Sequence, residues 1–243
     1  MLHIINKAID LERSPVLYAE AVSAAMLARD WQIYSGEWSV EDGWICGRNP
    51  HSNPGMIVSR ADFRGNVLVE FEARTVLPST HDIDFMWNGS WDAAQNRRDV
   101  AYVFGLEGWW EGKVGFEKSP EYKLVAGTPL FDFEPGRTYR IAGGSIDGHC
   151  FLFVDGRLVL EVTDPDPIDN QRYAKVGFEA YASHIQIRNI PQCLADSSGD
   201  RPDHRPRPSR RKPRHNTRHP AHRHSPLRRN TLGILLGRIH QWC

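Results

Sequence analysis

From about Trp31 onward the pattern of hydrophobic and polar residues reads as strands broken by turn signals, one of them alternating cleanly. In Asn66–Arg74 (NVLVEFEAR), Val67, Val69, Phe71 and Ala73 share one face, and Leu68, Glu70, Glu72 and Arg74 share the other. A period of two belongs to a β-strand, whose successive side chains point to opposite faces. Further strands, bounded by turn signals, are predicted at Glu37–Val40, Trp44–Gly47, His81–Trp87, Asp99–Leu106 and Thr138–Ala142. The series continues at Cys150–Val154, Leu158–Val162, Ala174–Tyr181 and His184–Ile190. Turn signals separate them: Glu41-Asp42-Gly43, Gly143–Gly148 and Asp155-Gly156, the last a type I′ hairpin signal. One Ala-rich stretch, Ala19–Asp30, predicts two or three helical turns. A short strand at Leu2–Ile5 is expected to pair near the other end of the domain. Many strands with no alternating helices predict an all-β fold, an antiparallel β-sandwich of the jelly-roll kind over residues 1–191.

Composition changes after Ala195. From Gly199 to Asn230 ten Arg and one Lys face two Asp, a net of +9, and the segment lacks apolar periodicity. A stretch that cannot bury apolar surface cannot offset its chain entropy, so 192–243 is predicted to be a disordered basic tail. Leu232, Leu235, Leu236, Ile239 and Trp242 allow a short terminal helix within it. An Arg/Pro/His-rich end also resembles the product of a shifted reading frame. The body is the opposite: residues 1–198 carry 18 basic and 28 acidic residues, a net of −10. That field repels phosphate backbones, so no specific nucleic-acid partner is expected, while the tail is expected to bind polyanions non-specifically. No run approaches the ~20 apolar residues of a membrane helix. Charges interrupt the N-terminal residues MLHIINKAIDLERS where a signal peptide is apolar. Cys46, Cys150, Cys193 and Cys243 are far apart, without a CxxC pair. A cytoplasmic protein with reduced thiols, no metal and no cofactor is the expectation.

The segment His81–Asn88 (HDIDFMWN) carries the most chemistry. On a strand Ile83, Phe85 and Trp87 would point inward, and Asp82, Asp84, Met86 and Asn88 outward. Two carboxylates two residues apart lie about 6.6 Å apart at Cα. Their oxygens can then reach the ~5–5.5 Å of retaining glycosidases. Mutual repulsion would raise one pKa, as an acid/base pair requires. Two solvated aspartates are the alternative. Trp87 and Trp91 lie beside this strand, and Trp109 and Trp110 stand between glycines before Glu111. Sugar rings have apolar C–H faces edged by hydroxyls, which suits tryptophan stacking combined with polar side chains. Trp31, Trp38 and Trp44 read as packing residues. Arg97 and Arg98 could pair on a uronate carboxylate, or sit in a solvated loop. Tyr102 could donate a proton or a hydrogen bond, and His81 is a candidate base. Cys150 reads as core. No GxSxG, P-loop, GxGxxG or HExxH is present.

The runs WSVEDGWICGR, NVLVEFEAR, HDIDFMW and FLFVDGRLVLEV…AKVGFEAYASHIQIRNI together resemble the concanavalin-like lectin/glucanase superfamily. Within it the chain is most similar to the YesU-like family of small bacterial proteins, associated with pectin and rhamnogalacturonan use. The resemblance covers residues 1–191. Family-sixteen glucanases of that superfamily carry a Glu-x-Asp-x-Glu strand whose outer carboxylates are nucleophile and acid. Asp82 would take the first place and Asp84 the middle one, but Met86 stands where the acid belongs. The acid would then come from Glu107, Glu111 or Tyr102. The resemblance implies a carbohydrate-active protein, a hydrolase or lyase of plant-cell-wall oligosaccharides. Its rivals are a non-catalytic carbohydrate-binding module and a purely structural sandwich.

Overall fold

The computed structural model describes residues 2–4, 7–9, 14–108, 112–189 and 241–242. Two antiparallel layers face each other. The first runs β12 (Leu124–Thr128), β11 (Val114–Ser119), β10 (Ala101–Leu106), β7 (Ile83–Gly89) and β16 (Lys175–Arg188). The second continues from β16 through β6 (Asn66–Thr75), β13 (Tyr139–Ile146), β14 (His149–Val154) and β15 (Arg157–Thr163). β5 (Trp44–Ser59) flanks β16 along both halves, with β3 (Trp31–Ile33) and β4 (Glu37–Glu41) at its outer edge.

The two long strands belong to both layers, which makes the sandwich one continuous sheet folded on itself. The fold occurs where β16 skips Ala182, a left-handed residue (φ 50°) between Tyr181 and Ser183. Such bulges bend a strand sharply. Ala174–Tyr181 and His184–Ile190, expected as separate strands, are therefore two arms of β16. β5 likewise extends twelve residues past the expected Gly47, through Pro50 and Pro54. The helix is α1 (Ala24–Asp30), shorter than expected because Ser23 ends it: its Oγ accepts from Met26 N at 3.1 Å. β1 (Leu2–Ile4) finds its partner locally in β2 (Lys7–Ile9), not at the far end of the domain. β17 (Gln241–Trp242) pairs with the start of β6.

The core is aromatic. Phe71 of β6 meets Phe85 of β7 and Phe178 of β16 edge-on, each at 5.0 Å between centroids, and so joins the layers. Each such buried ring contributes roughly 1.5–3 kcal/mol. Cys46 and Cys150 are free thiols, both buried, as expected for Cys150. Among the described residues no helix is long and apolar enough to cross a membrane.

Candidate functional site

On β7 the alternation delivers Ile83, Phe85 and Trp87 to the core. The opposite face is not open to water. Met86, Met56, Val58, Ala101 and Val103 form a second apolar cluster there, covered by Tyr34 and Trp91, whose rings stack at 4.9 Å. Trp91 belongs to the short hairpin β8 (Trp91–Asp92) and β9 (Arg97–Arg98). Ser90 N donates to Val100 O at 2.7 Å and Ser90 Oγ to Asp99 at 3.0 Å, which ties the hairpin base to β10.

β9 alternates as any strand does, so its arginines part company. Arg98 turns inward and is fully buried. Its Nη1 donates to Glu179 of β16 at 2.6 Å and its Nη2 to Glu117 of β11. The Tyr122 ring covers the guanidinium at 4.3 Å, and Tyr122 Oη accepts from Arg98 N at 2.8 Å. Asp84 stands opposite Glu179 in the β7–β16 ladder and opposite Gly105 in the β7–β10 ladder. Both Asp84 oxygens are buried without a hydrogen-bond partner. Asp82, with φ 75°, accepts from Tyr181 N and from Ser183 Oγ, the latter at 3.2 Å. Two carboxylates thus hold one guanidinium, with the buried Asp84 on the neighbouring strand β7 and the buried Asp82 just before it.

Desolvation sets their protonation. Burial raises Asp84 well above the usual carboxylate range, and the charges of Asp82, Glu179 and Glu117 add to it. Asp82 rises for the same reason, with Glu179 the second cause. Glu117 is pushed up to about 7 by burial despite Arg98. Burial also raises Glu179. Burial works against charge on Arg98, but Glu179 and Glu117 outweigh it and hold the guanidinium cationic.

An open glycosidase pair at Asp82 and Asp84 is therefore corrected. Both carboxyls are at most 1% exposed, so the outward, solvent-facing placement expected of them does not hold. Trp87 is corrected too. It stacks on Phe104 at 5.2 Å inside the core, and its Nε1 donates to Ser145 Oγ at 3.0 Å. Tyr102 is a buried fastener: its hydroxyl donates to Asp164 at 2.7 Å and accepts from Ile168 N at 3.0 Å. Glu107 closes the β10–β11 turn, accepting from Gly112 N at 2.8 Å. Arg97 and Arg98 do not act as a pair. Trp109, Trp110 and Glu111 lie outside the described residues.

Two cavities open beside the cluster. The first, about 370 Å³, is lined by Tyr122, Tyr181, Arg97, Ser52, Asn53 and Pro54. Tyr181 Oη donates to Ser52 O at 3.0 Å, which fixes one aromatic wall. The second, about 410 Å³, lies across the Ala182 bulge and includes Arg48, Ser79, Thr80, His81, Ser183 and His184. Of the expected site residues, Arg97 faces the first, and the candidate base His81 faces the second.

Sequence reasoning missed Glu117, Glu179, Tyr122 and Tyr181. A signal for the first two exists: Val114-Gly115-Phe116-Glu117 and Val176-Gly177-Phe178-Glu179 are the same tetrapeptide. In both, Val and Phe enter the core and Glu takes the other face beside Gly. The glycine is needed, since a Cβ at Gly177 would stand 2.8 Å from Ile57 O.

No family model and no curated protein sequence matches the chain. Solved structures do. The carbohydrate binding module CBM66 from Bacillus subtilis aligns with TM-score 0.55 and 15% identity over 67% of this chain and 95% of that one. A protein of unknown function with a galectin-like fold, also from Bacillus subtilis, gives 0.57 and 13% over 74% and 96%. A structure described under endo-acting O-glycanases of the human gut microbiota gives 0.51 and 12% over 71% and 95%. At these identities the likeness establishes the fold alone, an antiparallel β-sandwich like that of these structures.

Proposed function

We propose that the chain binds carbohydrate without cleaving it, at the cavity walled by Tyr122 and Tyr181. The observation that carries this is the composition of the cavity. Two half-buried tyrosines offer apolar faces to sugar C–H groups, and Arg97, Asn53 and Ser52 offer polar groups to hydroxyls. Among the described residues no carboxylate lines it. The acids beneath are at most 1% exposed, which supports binding over cleavage. The likeness to a Bacillus subtilis carbohydrate binding module supports the same reading. Hydrolysis or lysis becomes the second reading, favoured if the 109–111 segment supplies an acid.

The sequence resemblance to the YesU-like family, carried by the runs quoted above and matched by no family model, makes plant-cell-wall oligosaccharides the first ligands to screen. The test is calorimetry against an oligosaccharide panel, with product analysis of every mixture. Wild type should bind at least one member and release nothing. Tyr181→Ala should weaken that binding by ~1–3 kcal/mol, a range taken from aromatic stacking on nucleobases. Product release by wild type would overturn the reading, as would unchanged affinity in Tyr181→Ala.

A further inference from the structure

The second cavity is chemically unlike the first. Its titratable lining is entirely basic: Arg48 from β5, His184 from β16 and His81 from the loop before β7. This stands out because residues 1–198 carry a net charge of −10, so a cationic pocket here is local design and not the field of the whole body. Hydroxyl groups complete the wall. His184 N donates to Ser79 Oγ at 3.0 Å, which uses an oxygen lone pair and leaves the Ser79 proton to be given away. Ser183 Oγ gives its proton inward to Asp82. That aspartate is fully buried, and desolvation raises it above the usual carboxylate range, which works against a negative charge there.

From this lining we propose that the second cavity is an anion subsite, taking the carboxylate or sulfate group of an acidic saccharide whose neighbouring sugar occupies the tyrosine cavity. The second half of that statement rests on the binding function proposed above. The two cavities flank one bulge: Tyr181 lines the first and Ala182 the second, and consecutive Cα atoms are about 3.8 Å apart. On the other strand, Asn49 and Pro50 face one cavity while Ser52, Asn53 and Pro54 face the other.

Arg48 supplies the fixed charge. It lies opposite His184 in the β5–β16 ladder, and Glu37 of β4 is its neighbour on the other side. His184 is held below its ordinary value by burial first and by Arg48 second, with Glu41 opposing. It is therefore neutral at pH 7. An anion placed between Arg48 and His184 offsets the guanidinium charge and favours the imidazolium. Binding should then draw a proton onto His184, and affinity should rise as pH falls toward 6.

The test uses the full chain and two simple probes, glucuronate and inorganic sulfate, with glucose as the neutral control. The His81 and His184 ring signals are followed by NMR, assigned by replacing each histidine with Asn. Saturable shifts of both rings are expected with an anion and none with glucose, and the His184 titration should move upward. Arg48→Gln, at an exposed position that tolerates exchange, should lower anion affinity about tenfold or more. The stronger of the two probes tells a carboxylate site from a sulfate site. Absent shifts with both anions, or equal affinity in Arg48→Gln, would overturn the anion subsite. A matched pair of uronate and neutral oligosaccharides separates this from the parent reading. Equal binding of both, lost in Tyr181→Ala and unaffected by Arg48→Gln, keeps the tyrosine site and rejects the anion subsite. Anion shifts at His184 without any effect of Tyr181→Ala on oligosaccharide affinity keep the anion site and reject the tyrosine one.

Discussion

Replacing Arg98 by methionine keeps much of the side chain's volume and removes the charge that Glu117 and Glu179 share. Both carboxylates lie within hydrogen-bonding reach of the guanidinium and are at most 1% exposed. Water cannot take over the lost contacts, so each carboxylate must remain charged in a dry layer or bind a proton. Breaking a buried ion pair by removing one partner costs roughly 3–5 kcal/mol. Protonation caps that cost: a carboxyl with an unfolded value near 4.5 is held neutral at pH 7 for about 3 kcal/mol. The same step costs about 0.7 kcal/mol at pH 5. Urea unfolding should therefore show Arg98→Met destabilised by about 3–5 kcal/mol at pH 8 and by about 1–2 kcal/mol at pH 5. Adding Glu117→Gln and Glu179→Gln to the variant should recover stability at pH 8. A loss below ~1 kcal/mol at pH 8, or the same loss at both pH values, would refute the buried-charge argument.

In the wild type, Asp82, Asp84, Glu117 and Glu179 all have folded values above their unfolded ones, so the folded state binds more protons. Their contribution is complete below about 4 and is lost as pH rises, through about 7 for Glu117. Asp30 beside Arg29 and Asp62 beside Lys175 are depressed and act in the opposite sense, losing their contribution as pH falls below 3.8. The melting temperature should be higher at pH 5 than at pH 8, and the reverse order would contradict the assignment. Burial raises Asp84 above the usual carboxylate range, so the folded state binds its proton more tightly, and Asp84→Asn should flatten the decline of stability as pH rises. An unchanged pH slope in the variant would contradict that direction. Trp87→Ala removes a core ring and the donor that Ser145 Oγ accepts from, so thermal unfolding should report a loss of about 3–5 kcal/mol. Retained stability with lost sugar affinity would restore Trp87 to the binding surface. On heparin at low salt, full-length protein should be retained while residues 1–195 flow through. Equal retention would place a basic face on the body.

Strands were readable where one face meets the core and the other does not alternate with it. Val67, Val69, Phe71 and Ala73 announced β6, and Asp155-Gly156 announced the turn between β14 and β15. β5 was half hidden because Pro50 and Pro54 lie within it, at the bend where it passes between layers. The bulge at Ala182 has no signature of its own, since nothing about alanine asks for φ 50°. For the site, alternation placed Asp84 opposite Ile83, Phe85 and Trp87. What it could not show is that a hairpin from the same chain covers that face, because the cover is a tertiary contact. Two clues were legible: the repeated Val-Gly-Phe-Glu, and the strand rule that forces Arg97 and Arg98 to opposite sides. Trp87 shows the general trap. A tryptophan beside acids resembles a sugar platform, yet its place in the period-two pattern already assigned it to the core.

The most direct test of carbohydrate binding at the tyrosine cavity is a crystal structure of the full chain with the tightest oligosaccharide from the panel. The account predicts an intact saccharide with one ring against Tyr122 and Tyr181 and its hydroxyls on Arg97 and Asn53. A saccharide seated elsewhere on the molecule, or a cleaved product in its place, would contradict it.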